Sequence, residues 1–150
     1  MDNYSEWRKL SVCRNTEYES LVEKLCSTKN SSSDETVFST IKDFMVFAAL
    51  VGFQLDLYRP LESNMNKISI ILETYASTNH DSYIYLMALS KKPSLDTLKD
   101  ENLREAISIF EAYCNGGLEY IGRWIFSNVG KDIGSDILFN QTLEYLIDNE

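Results

Sequence analysis

Four helical carboxylates, one histidine, three cysteines and a double glycine are the residues of this chain that could do chemistry. Asp43, Glu73, Glu111 and Glu119 fall in helix-forming stretches, where two acids brought together could hold a divalent metal or share a proton. Scattered acids on amphipathic helices more often form solvated faces, and no spacing here singles out a pair. His80 stands beside Asp81 in Asn79-His80-Asp81-Ser82, which reads as a helix start, so a capping or surface role is expected. Cys13, Cys26 and Cys114 are odd in number and form no Cys-x-x-Cys pair. With one histidine as the only other soft ligand they do not make a zinc site, and buried reduced thiols are the simpler reading. Gly-x-x-x-x-Gly-Lys-Ser/Thr, His-Glu-x-x-His and Gly-x-Ser-x-Gly do not occur. No catalytic residue, metal or cofactor is therefore expected.

The double glycine lies in Tyr113-Cys114-Asn115-Gly116-Gly117-Leu118-Glu119-Tyr120. At 100° per residue from Leu103, Ala106, Ile107, Phe110, Tyr113 and Cys114 fall within about 80° of the starting direction. Gly117, Ile121, Trp124 and Ile125 return to the same arc, while Glu101, Arg104, Glu105, Ser108, Glu111, Asn115, Glu119 and Arg123 collect opposite. The stripe crosses the glycines without slipping, which favours one helix over about 100–127. Each glycine costs a helix interior about 1 kcal/mol relative to alanine. Close approach of a neighbouring helix would offset that, and the stretch 36–53 is the natural candidate. The rival reading ends the helix at Gly116 or Gly117 and starts another whose free amides could hold an anion, although Glu119 would already occupy that positive end.

The elements that must position these residues follow from the pattern. Val37, Phe38, Ile41, Phe44, Met45, Ala48 and Ala49 keep helical spacing, and Val46, Phe47, Leu50 and Val51 fill most of the other side. A helix apolar nearly all round is buried, so 36–53 is expected at the centre, with Gly52 as its terminator and Arg59-Pro60 in the next loop. Thr16-Glu17-Tyr18-Glu19 reads as a capping box before a short helix carrying Leu21, Val22 and Leu25. Ser27 to Asp34 is polar and aperiodic, an expected linker. The β-branched run Ile68, Ile70, Ile71 suggests a strand, but with no partner strand in view helix is the expectation there. Short helices are expected over Asp81–Ser90 and Ser135–Ile147. The fold class expected is all-α: a compact single-domain helical bundle around the buried helix 36–53 and the Gly-Gly helix 100–127. Residues 1–34 would form an N-terminal helical arm and linker, and 35–150 the core domain.

Bulk properties bound the function. A chain of 150 residues with 44% hydrophobic and 25% charged residues is ordinary for a globular domain and buries about 70% of its unfolded surface. No apolar run reaches the roughly 18 residues of a membrane span. Met1 to Glu6 shows no basic segment leading into an apolar one, so no secretory signal is expected and the cytoplasm is the expected compartment. The net charge of −9 repels phosphate backbones. Arg8-Lys9 and Lys91-Lys92 are two charges each, so direct nucleic-acid binding is not expected.

Three blocks resemble a known family. They are Val37-Phe38-x-x-Ile41-x-Asp43-x-Met45-x-Phe47-Ala48-Ala49-Leu50-x-Gly52-Phe53, then Arg59-Pro60-Leu61, then Glu111-x-Tyr113-x-Asn115-Gly116-Gly117-Leu118. Together they resemble the small DNA phosphorothioation-associated protein 4 family, linked to bacterial Dnd-type modification and restriction clusters. The usual small residue before Asn-Gly-Gly is Cys114 here. The resemblance implies no catalytic residue. It marks Asp43, Gly52, Arg59, Pro60, Glu111, Tyr113, Asn115, Gly116 and Gly117, with the adjoining Glu119, as signature or packing positions. The resulting expectation is a non-catalytic accessory or adaptor protein of a DNA phosphorothioation-linked or other anti-phage system. Its partners would be proteins of the same operon, and homo-oligomerisation stays open. The alternatives are a metal-dependent nuclease using helical carboxylates and an acidic DNA mimic that occupies a partner's DNA channel.

Overall fold

The computed structural model describes residues 9–26, 37–127 and 134–148. Its elements run in the order β1 (Ser11–Asn15), α1 (Glu19–Leu25), α2 (Ile41–Gln54), β2 (Lys67–Ile71), α3 (Leu72–Ala76), α4 (Asp81–Lys91), α5 (Leu103–Ser127) and α6 (Gly134–Asp148). Short 3₁₀ turns fill Thr16–Tyr18, Leu95–Leu98 and Asp100–Asn102. No helix among the described residues is long and apolar enough to cross a membrane.

The expected all-α class needs correction, because β1 and β2 form a two-stranded antiparallel sheet in which Val12 opposes Ile70 and Arg14 opposes Ile68. The run 67–71 is thus the strand its β-branched residues favour, and helix begins only at Leu72. Its partner escaped notice because Ser11-Val12-Cys13-Arg14-Asn15 is short and mixed in polarity. The outer edge of β1 is satisfied by side chains of α5: Arg104 Nη1 donates to Ser11 O at 3.0 Å, and Glu111 accepts from Cys13 N at 2.6 Å. Leu21, Val22, Leu25 and Cys26 are buried in the same core as α2 and α5. The polar linker expected over Ser27–Asp34 lies outside the described residues.

The capping box at Thr16 is also corrected. Asn15 caps the first turn by accepting from Glu17 N, Thr16 donates from both its N and its Oγ1 to Asn66 O, and Glu19 pairs with the buried Arg14 at 2.8 Å. Helix α2 starts at Ile41, where Thr40 accepts from Asp43 N as its cap, so Val37 and Phe38 precede it. It runs past Gly52 to Gln54, and Gly52 is therefore not its terminator. Phe44, Met45, Ala48 and Ala49 are buried on α2, and Ile107, Phe110, Cys114, Leu118 and Ile121 on α5.

Helix α5 is continuous through Gly116-Gly117, as the phase of its apolar stripe predicts, so no second N-terminus exists there to hold an anion. The two glycines differ by about 100° in direction and meet different neighbours. A Cβ on Gly117 would stand 1.7 Å from Ala48 O of α2, and one on Gly52 would stand 2.0 Å from Tyr113 O of α5. The two helices thus seat in reciprocal notches. A Cβ on Gly116 would stand 2.0 Å from Leu57 O, in the segment that follows α2.

Candidate functional site

That segment, 57–60, lies along α5 as a strap. Leu57 N donates to Gly52 O at 2.8 Å, which turns the chain back after α2, and Asp56 takes a positive φ of 55° in the turn. Arg59 N then donates to Ala112 O at 3.0 Å, and Asn115 Nδ2 donates to Arg59 O at 3.0 Å. The Tyr113 ring meets Phe53 and Tyr58 edge-on, with centroids 5.4 and 5.0 Å away. The Arg59 guanidinium reaches forward one turn to Glu119 at 2.8 Å. The spacing Tyr113, Asn115, Gly116, Glu119 is therefore that of a rail: each residue grips a different atom of the strap. Asn115, assigned by phase to the polar side, is only 6% exposed because the strap covers it.

Beside the strap opens a cleft of about 640 Å³. Arg59, Pro60, Asn115 and Glu119 line it together with Arg123, Tyr18, Tyr58, Glu17 and Glu62. Glu119 is the charge centre, contacting Arg59 at 2.8 Å and Arg123 at 2.5 Å. Asn115 Oδ1 has no hydrogen-bond partner, although its side chain is buried. Burial pushes the Tyr18 hydroxyl above its ordinary range, with Glu17 and Glu119 acting in the same sense and Arg59 and Arg123 opposing. The lining holds no Ser, Thr, Cys or His among the described residues; its ionisable groups are carboxylates, phenols and guanidiniums.

The remaining signature residues do other work. Asp43 begins α2, where its charge complements the helix N-terminus; it accepts from Ser39 Oγ at 3.2 Å and lies 3.7 Å from His80 Nε2. His80 makes no side-chain cap to α4 and instead meets Thr78 Oγ1 through Nδ1 at 2.6 Å. Glu111 faces β1, where burial raises its carboxyl above the ordinary range against the pull of the Cys13 amide and Arg104. Glu111 and Glu119 are eight residues apart on one helix, about 12 Å along its axis, and Asp43 lies at the start of another. Glu73 lies on α3, a third helix, and no three His, Cys, Asp or Glu side chains cluster among the described residues. Cys26 and Cys114 are buried, with their thiols pushed up to about 12 by desolvation.

Sequence reasoning missed eight of the twelve residues that line the cleft. Arg123 was visible as the i+4 partner of Glu119, and Tyr58 as the residue before Arg59. Asn15, Glu17 and Tyr18 carry no such signal, because the β1–β2 pairing brings them from far away in the chain.

Neither the curated proteins nor the solved structures offer a match to this chain. A family model described as DNA sulphur modification system-associated protein 4 matches residues 12–144, a span that contains all but the first residue of the sheet, the notched helix pair, the strap and every residue of the cleft, and the chain belongs to that family.

Proposed function

We propose that this chain is a non-catalytic, cytoplasmic accessory protein of a DNA sulphur modification system, and that it acts by docking a protein partner in the cleft beside the strap. One observation carries the reading. Four signature residues, Arg59, Pro60, Asn115 and Glu119, line a surface cleft rich in hydrogen-bonding and aromatic groups, with no Ser, Thr, Cys or His in its described lining. Arg, Tyr and paired charges around a concavity are the materials of a recognition surface. The net charge of −9 opposes a direct hold on DNA phosphates and favours a protein partner over the nucleic acid itself.

The test is co-expression with the products of its own gene cluster. Wild type is expected to co-purify with one of them, and Pro60→Trp, which fills the cleft without changing its charge, to lose it while melting within a few degrees of wild type. Pro60 is exposed, and surface substitutions usually change stability by no more than about 0.5 kcal/mol. A wild-type chain that stays alone with every product refutes the reading.

A further inference from the structure

The geometry points to an arginine side chain, carried on a basic segment of the partner, as the group this cleft receives; the inference rests on the docking reading above. The two guanidiniums already present share the single carboxylate of Glu119. Glu17 and Glu62 line the same cleft and make no ion pair among the described residues. Three carboxylates against two guanidiniums leave the lining one net negative charge. A second, independent observation gives the same sign. Asn115 is a cleft-lining side chain, 6% exposed, whose amide nitrogen is spent on Arg59 O, and its Oδ1 is left without a donor. An unpaired buried acceptor is costly, and an incoming N–H relieves it.

Tyr18 and Tyr58 add aromatic surface to the walls. Tyr58 already holds one cation on its ring, Lys91 Nζ at 3.9 Å from the centroid. A guanidinium is charged, planar, rich in donors and suited to stacking on such rings, so it answers the carboxylates, the orphaned oxygen and the aromatic walls together. An anion would compete with Glu119 for the two arginines while facing Glu17 and Glu62. The net charge of −9 adds long-range attraction for a basic partner.

The experiment titrates the full chain by NMR and calorimetry with a blocked peptide containing one arginine among glycines. The control peptides replace that arginine by citrulline, lysine or glutamate. Expected are saturable shifts of the Asn115 side-chain amide and Tyr18 ring signals with the arginine peptide. The citrulline peptide should bind about tenfold more weakly or worse, and Glu17→Gln/Glu62→Gln should weaken the arginine peptide by about the same factor with an unchanged melting temperature. Equal binding of the citrulline peptide, preference for glutamate, or unmoved Asn115 and Tyr18 signals overturns the inference. The two readings separate in the co-purification. A cluster product held equally by wild type and Glu17→Gln/Glu62→Gln removes the arginine and leaves the docking; capture by neither removes both.

Discussion

Gly117→Ala tests the notch between α2 and α5. Alanine is the better helix former, so the helix alone gains about 1 kcal/mol from the change. The tertiary structure reverses that sign. The new Cβ would lie 1.7 Å from Ala48 O, 2.6 Å from its carbonyl carbon and 3.1 Å from Gly52 N. A comfortable carbon–oxygen contact is about 3.3 Å, so the helices must part by about 1.6 Å or bend. Every opposing atom is backbone and cannot escape by changing rotamer. A gap of only 0.5–1 Å forfeits about a quarter to a half of each dispersion contact it opens, and this is the most extensive helix pairing in the fold. Overpacking commonly costs about 1–3 kcal/mol, and immobile backbone places this site at or above the top of that range. Net of the propensity gain, a loss of about 2–4 kcal/mol is expected. For a domain of this size that lowers the melting temperature by about 6–12 °C. Urea and thermal unfolding measure it, with Ser108→Ala on the exposed side of the same helix as the control, expected to be neutral or slightly stabilising. A Gly117→Ala protein as stable as wild type would show that the helices do not sit this close, and the packing argument would fall.

Gly116→Ala meets Leu57 O at 2.0 Å and Leu57 C at 2.8 Å, backbone atoms of a segment held by the Gly52 and Ala112 carbonyls. The expected result is a loss of about 1–3 kcal/mol, with faster hydrogen exchange at the Arg59 amide and weakened arginine-peptide binding. Glu111→Ala leaves the Cys13 amide without its acceptor and should cost about 1–3 kcal/mol, whereas Glu111→Gln keeps an acceptor in place. Because burial raises the folded-state pKa of Glu111, the native protein binds more protons than the unfolded chain between the two pKa values, so wild-type stability falls as pH rises through that window. The stability of Glu111→Gln relative to wild type should therefore increase with pH from the ordinary carboxylate range upward; a constant difference in urea midpoints refutes it. With thiols pushed up to about 12, Cys26 and Cys114 carry about one part in ten thousand thiolate at pH 8. A chromogenic disulfide reagent should thus titrate at most Cys13 until denaturant is added, and rapid native reaction of all three overturns their placement.

How much of this was legible in the chain depends on the range of the interaction concerned. Helical phase is local, and it carried α5 across two glycines and placed the apolar side of α2 correctly. Gly52 was misread as a terminator because a stop and a close approach ask for the same missing Cβ; only the facing Tyr113 carbonyl separates them. The sheet was missed for the same reason in another form. Ile68, Ile70 and Ile71 favour a strand, but a strand needs a partner, and β1 lies more than fifty residues upstream with ordinary composition. In the candidate site, the signature blocks supplied the rail and the strap. The acidic and aromatic wall from Asn15, Glu17 and Tyr18 reaches the cleft only through that pairing, so no reading of local pattern could place it there.

The adjacent glycines also have a consequence for how this surface can vary. One seats the core and the next seats the strap beside the cleft, on a single helix with no residue between them. The register of the helix is thereby locked from two directions, and the cleft inherits the stiffness of the core. Variation in the cleft is left to side chains at its rim, such as Glu17, Glu62 and Arg123.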